Sequence, residues 1–402
     1  METSPAYLDL TDPVKVAEVA TESSKPSLSQ RLLAKSVELV NGAVRHKDGT
    51  VNRRVADLLE YKVPASAVPD HHGVSSKDVV IVEKNGVWAR VYLPSAKQAV
   101  SELDDGAVGS EGEGTPTCMK RRVIIHIHGG GFAFLCADAF SYDQFCRRLC
   151  HRGEAVVISV NYRRAPEHRY PAAYDDCYAV LEWLEGYSGD DFKPHILDLS
   201  RCVLIGDSAG ANIVHHVGFK WAARPNAAER LAEESTTTPK SQSRSSELRI
   251  DCHVLLFPFF GGEERTPSEI RMHRKAPLVT IANTDWHWLA FLPPGSNRDH
   301  PACNIFSPDA PPLSSLPLPR SLVTIAEWDM LKDRQLRYAQ GLAEASKPVE
   351  LLYYRGGVHC FHVFQERILG PRLISDIMLF INQRHGDGQS LLATMENSGR
   401  TA

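Results

Sequence analysis

Cys202-Val203-Leu204-Ile205-Gly206-Asp207-Ser208-Ala209-Gly210-Ala211-Asn212-Ile213 is the stretch whose reading decides the fold. Its first four residues form a continuous apolar run, the mark of a strand buried on both faces. From Ala209 the apolar residues recur at helical spacing to about 223. Between strand and helix lies G-x-S-x-G, with Gly206 and Gly210 at −2 and +2 from Ser208. A side chain at either flank would clash if the serine sat on a sharp, strained turn. Such a turn lifts the hydroxyl out of the sheet and places the positive end of the helix dipole behind it. Ser208 is therefore the candidate nucleophile.

The pattern repeats on both sides of this stretch. Strands are expected at Val123–His128, Ala155–Val160, Cys202–Ile205, Cys252–Phe257, Ser321–Ala326 and Val349–Tyr354. Helices are expected at about 140–152, 175–186, 209–223, 284–292, 333–346 and 371–384. Short apolar strands alternating with helices indicate an α/β fold with a mostly parallel central sheet covered on both faces. Ahead of it, Lys77–Lys84 and Val87–Leu93 read as strands joined by Asn85-Gly86, a two-residue hairpin signal. Residues 27–70 hold a helical segment in which Leu28, Leu32, Leu33, Val37, Val40, Val55, Leu58 and Leu59 recur at helical spacing, interrupted by a turn at Asp48-Gly49. This segment reads as a lid whose apolar face is buried on the domain of residues 71–385. Residues 1–26 and 386–402 read as flexible tails, and about 100–117 and 233–247 as flexible polar loops.

The partners a serine nucleophile needs occur in matching places. His128-Gly129-Gly130-Gly131 follows the strand at Val123, and its glycines free the N–H groups of Gly130 and Gly131 to face a bound acyl oxygen. The Ala209 N–H is the expected third donor. His359 follows the late strand and is the expected base, in preference to His362. Asp329 follows the strand at Ser321 and is the expected acid. Its rivals are Asp333, better placed to interact with a helix dipole, Glu327, and Asp207, expected to point away from the nucleophile. The chemistry these residues support is acyl transfer, with proton transfer through His359 oriented by Asp329.

Composition narrows the function classes. The 402 residues are 43% hydrophobic and 23% charged with a net charge of −4, so no strong field recruits nucleic acid or anionic membrane. The polar, acidic N-terminus carries no secretory signal pattern, and no apolar run is long enough to span a membrane. The nine cysteines include no C-x-x-C pair, which points to reduced thiols in the cytoplasm or nucleus. The histidines lack an H-E-x-x-H pattern, so no metal is expected, and a triad of this kind needs no cofactor.

Further stretches tie the chain to a known group. Asp48-Gly49-Thr50-Val51-Asn52-Arg53, Asn161-Tyr162-Arg163-Arg164-Ala165-Pro166-Glu167, Tyr174-Asp175-Asp176 and Asp299-His300-Pro301-Ala302-Cys303-Asn304 resemble plant-type carboxylesterases of the hormone-sensitive-lipase-like α/β-hydrolase group. The chain is most similar to the branch that includes the gibberellin receptors. The resemblance implies an α/β-hydrolase fold, an N-terminal helical lid and the oxyanion assignment above. It also implies a choice. In the receptors the histidine is replaced by an apolar residue and serine typically stands at the third glycine, whereas this chain has His359 and Gly131. A dehydratase branch carries threonine where this chain has Ser208. The expectation is a serine carboxylesterase acting on small to medium esters. The alternative is a binding protein that closes its lid over a small carboxylate and recruits a protein partner.

Overall fold

The strand at Cys202 is central to the sheet because both of its edges must be covered, and the structure shows how. The computed structural model describes residues 6–7, 10, 26–95, 119–187, 192, 195–225, 248–364 and 368–383. Its strands are β1 (Ala6–Tyr7), β2 (Val74–Val82), β3 (Val87–Pro94), β4 (Met119–Ile127), β5 (Val156–Asn161), β6 (His195–Asp207), β7 (Ile250–Leu256), β8 (Arg320–Trp328) and β9 (Val349–Val358). Among the described residues they form one sheet in the order β1-β9-β8-β7-β6-β4-β5-β3-β2. The run from β5 to β9 is parallel, and β1, β2 and β3 pair antiparallel at the ends. Ile125 stands opposite Ile158 of β5 and Leu204 of β6, so the apolar runs lie side by side in the core.

The helices are α1 (Leu28–Val44), α2 (Arg53–Leu59), α3 (Phe140–Gly153), α4 (Ala172–Glu185), α5 (Ala209–Ala222), α6 (Pro267–Met272), α7 (Ile281–Phe291), α8 (Lys332–Glu344) and α9 (Leu369–Asn382). Parallel strands all end at one edge, so the loops after β4, β6, β8 and β9 share it. The chain leaves β4 toward β5 on one side and later returns to β6 on the other. A crevice opens at that reversal, where ligands of open α/β sheets bind.

Three expectations need correction. The hairpin does not turn on two residues: Val82 pairs with Val87, and Glu83–Asn85 form a 3-10 turn closed by Gly86 at φ 66°. Only Gly86 among these takes a left-handed conformation, whereas a type I′ turn needs two such residues in succession. In the N-terminal stretch read as a tail, Ala6–Tyr7 instead pair with Tyr353 and Leu352 of β9. Most of 1–26, along with 100–117, 233–247 and 386–402, lies outside the described residues.

The third correction concerns the apolar stripe of the N-terminal segment. Two helices form there as expected, capped by Ser27 with Gln30 and by Asn52. Six of their larger apolar residues face outward, however: Leu28, Leu32, Leu39, Val40, Leu58 and Leu59 are exposed, Leu39 to 76% and Leu58 to 83%. Among the described side chains of α1, Ala34 and Val44 are buried and Val37 and Asn41 partly so. Polar ties supplement that packing. Arg53 pairs with Glu167 at 2.8 Å and donates to the Ala133 and Ala165 carbonyls, and Arg164 pairs with Asp57 at 2.9 Å.

Candidate active site

Ser208 stands at the turn between β6 and α5 with φ 52° and ψ −116°, a positive-φ backbone that a serine adopts only under strain. The glycines around it are sterically required. A Cβ on Gly206 would lie 2.5 Å from the Gly210 carbonyl carbon, and one on Gly210 would lie 2.0 Å from the Ile127 carbonyl oxygen. The elbow and the end of β4 are thus packed backbone against backbone.

The structure brings the three expected side chains together. His359 Nε2 lies 2.9 Å from Ser208 Oγ, and His359 Nδ1 lies 2.6 Å from Asp329 Oδ2. A carboxylate only accepts, so Nδ1 carries the proton and Nε2 turns its lone pair to the serine hydroxyl. Asp329 is fully buried and is held from three sides. Its Oδ1 accepts from the Leu331 N–H at 2.9 Å, and its Oδ2 also accepts from Gln335 Nε2 at 2.7 Å.

The rivals take other roles. Asp333 accepts from the Ser268 N–H at the start of α6, and Glu327 accepts from the Gly356 N–H. His362 is buried against Phe145 and Phe257, and its Nε2 lies 3.9 Å from Asp207, too far for a hydrogen bond. Burial pushes His362 down to about 3, so it is neutral there and forms no ion pair.

Asp207 does point away from the serine, toward a task the sequence reading did not assign. It sits under the glycine turn, accepting from the Gly129 N–H at 3.0 Å and from the Tyr142 hydroxyl at 2.9 Å. Burial raises its carboxyl to about 6, against the opposing pull of those hydrogen bonds and of His359. Tyr162 donates to the carbonyls of His128 and Gly129 at 2.9 and 3.2 Å, and its ring stacks on His128. Burial lowers His128 to about 3, so its one proton is on Nδ1, donated to the Gly129 carbonyl. Tyr142 carries no local motif, and Tyr162 lies in the stretch 161–167 that carries the resemblance without a task having been assigned to it.

The N–H groups of Gly130, Gly131 and Ala209 meet no acceptor among the described residues. Ala209 opens α5, where the first helical N–H groups have no intrahelical partner. Gly130 and Gly131 line a cavity of about 250 Å³ together with Ser208 and His359. Val37 and Asn41 of α1 cover it, and Phe134, Phe259, Val279 and Leu331 make its wall mostly apolar. Among the described residues no group of three or more His, Cys, Asp or Glu side chains could hold a metal ion, and no helix is long and apolar enough to cross a membrane.

A family model described as the alpha/beta hydrolase fold matches residues 124–363, which includes the glycine turn, the elbow, Asp329 and His359. The chain belongs to the α/β-hydrolase family. It is 39% identical to a gibberellin receptor of Arabidopsis thaliana over 88% of this chain and 94% of the relative. It is 35% identical to a probable carboxylesterase of the same plant, over 81% of this chain and 84% of the relative. It is also 31% identical to a 2-hydroxyisoflavanone dehydratase of Glycyrrhiza echinata, over 79% and 87%. Among solved structures, a hyperthermophilic esterase of the archaeon Pyrobaculum calidifontis superposes with a TM-score of 0.60 at 23% identity, covering 89% of this chain and 98% of that one. An esterase of Pseudomonas putida superposes with a TM-score of 0.63 at 18% identity, covering 91% and 100%. The plant-type group expected from the sequence is therefore the right one, and the fold is that of the esterases.

Proposed function

We propose that this protein is a serine carboxylesterase acting on small to medium esters through an acyl-enzyme. One observation carries the reading: the unbroken relay Ser208 Oγ–His359 Nε2, His359 Nδ1–Asp329 Oδ2, opening into the cavity that Gly130 and Gly131 line. His359 takes the hydroxyl proton as Ser208 Oγ attacks the carbonyl. The Gly130, Gly131 and Ala209 N–H groups hold the tetrahedral oxyanion, and each such donor is worth about 3–4 kcal/mol of barrier. His359 then protonates the leaving alcohol, and water repeats the sequence on the acyl group. The N-terminal helices act as a lid, and the apolar wall suits uncharged acyl or alcohol groups. A folded Ser208→Ala variant should lose aryl acetate hydrolysis by a factor of about 10⁴ or more. Near-native turnover in that variant overturns the proposal.

One observation favours a second reading. The outward apolar residues of α1 and α2 offer a surface for a protein partner, in a chain 39% identical to a gibberellin receptor. On this reading a small carboxylate occupies the cavity and the closed lid recruits the partner. Gibberellin binding coupled to partner recruitment, without ester turnover, would establish it in place of the esterase.

A further inference from the structure

The glycine turn takes a left-handed backbone that its glycines adopt freely and that strains the phenylalanine closing it. Gly130, Gly131 and Phe132 take positive φ in succession, at 96°, 60° and 63°. Such a segment holds its shape only when its surroundings over-determine it. Its carbonyls show how. Those of His128 and Gly129 accept from Tyr162, and that of Gly130 accepts from the N–H of Phe134 at 2.9 Å. A peptide is planar and trans, so a held carbonyl also aims the N–H of the following residue. The Gly129 and Gly130 carbonyls thereby aim the N–H groups of Gly130 and Gly131. The remaining carbonyl, that of Gly131, meets one donor among the described residues: His287 Nδ1 of α7, at 3.0 Å.

His287 and Gly131 are fitted to each other. A Cβ on Gly131 would stand 2.2 Å from His287 Nδ1, so the imidazole occupies the space a side chain would take. The ring is braced edge-on by Phe134 and Trp286 and lines the same cavity as Ser208. Burial lowers His287 to about 3, so it is neutral with a single N–H. A carbonyl only accepts, which places that N–H on Nδ1.

We propose that His287 is a positioning residue for the oxyanion donors: its Nδ1–H pins the Gly131 carbonyl and with it the Gly131–Phe132 peptide, the last plane of the turn, which keeps the preceding Gly130 and Gly131 N–H groups facing the cavity. The inference rests on the esterase reading. The His287 Nδ1–H is committed to the Gly131 carbonyl although the ring lines the cavity, so removing that N–H should act on the transition state more than on ground-state binding.

The test compares His287→Phe, His287→Gln and His287→Asn in the full chain. Asparagine carries an N–H close to the Nδ1 position, whereas glutamine places its own near Nε2 and phenylalanine has none. Phe and Gln should lower kcat for an aryl acetate by about 10–100-fold, with KM within about threefold, and Asn should restore most of the loss. Equal kcat in all three variants overturns the inference, as does a loss confined to KM or an Asn variant no better than Phe. Phenylboronic acid supplies a second readout. Ser208 Oγ bonds to boron, its proton passes to His359, and a boron-bound oxygen of the resulting anion enters the glycine turn. Its affinity by calorimetry should fall in the Phe variant by a factor similar to that in kcat. Wild-type turnover and boronate binding that His287→Phe leaves unchanged refute the role of His287 and spare the esterase. A wild-type chain that neither hydrolyses the ester nor binds the boronate refutes the esterase, and this inference with it.

Discussion

Replacing Asp329 by asparagine should disable the relay while barely changing its shape, and the structure dictates how. The Leu331 N–H points at Oδ1 and can only donate, so in the Asp329→Asn variant the carbonyl oxygen of the new amide must take that side. The amide NH₂ then falls at the Oδ2 position, facing Gln335 and His359. Gln335 can adapt by flipping its own amide, because its Oε1 has no partner and would accept from the new NH₂. His359 can adapt only by moving its proton to Nε2 so that Nδ1 accepts. Nε2–H then faces Ser208 Oγ, 2.9 Å away, and cannot take the serine proton. In a serine protease with the same relay this tautomer error costs about 10⁴ in kcat, equivalent to about 5 kcal/mol of barrier. We expect a loss of that size in aryl acetate turnover, with KM nearly unchanged and a native circular dichroism spectrum. A folded Asp329→Asn enzyme within about tenfold of wild type would refute the tautomer argument.

Four other substitutions separate neighbouring roles. His359→Ala should nearly abolish kcat. His362→Ala should keep it and lower stability by about 1–2 kcal/mol in denaturant unfolding, the cavity cost being offset by release of two unpartnered ring nitrogens; equal kinetic losses would overturn the choice of base. Gly131→Ser should cost activity, because the new Cβ and the imidazole claim one space; full activity in Gly131→Ser would contradict that packing. Asp207, raised to about 6 from about 4 in the unfolded chain, holds in the native state a proton that the unfolded state has released. Its contribution to stability is thus complete below about pH 4 and is lost as pH rises through about 6. Relative to wild type, Asp207→Asn should gain about 2 kcal/mol between about pH 4.5 and about pH 7.5, read from guanidinium midpoints; a difference that does not change with pH would refute the shift.

Local sterics and periodicity made the framework of the candidate site legible in the sequence. Gly206 announces the elbow because a side chain there meets the Gly210 backbone of the same turn at 2.5 Å, and Gly210 because one there meets the Ile127 carbonyl oxygen of β4 at 2.0 Å. The apolar runs placed the central strands from β4 to β9 near their observed positions, since a strand buried on both faces has no choice of composition. Ser208, Asp329 and His359 stand just beyond three of those strands, and parallel strands put all such loops at one edge.

What the sequence could not settle depends on partners far away along the chain. The tasks of Tyr142, Tyr162, Asp207 and His287 come from hydrogen bonds to the glycine turn and its supports, His287 reaching it across 156 residues. The lid shows the same division. Helical spacing gave α1 and α2, but which face turns inward was decided by the cavity rim, which takes Val37 and Asn41 and leaves Leu28, Leu39 and Leu58 outside. Periodicity defines a helix and its stripe, whereas the surface that meets the stripe is built by the rest of the chain. The sequence by itself determined the α/β core and the order of the reacting groups, because those follow from local geometry. Only the tertiary structure decided which side chains hold the glycine turn of the candidate site in its left-handed shape, because that requires contacts no local pattern encodes.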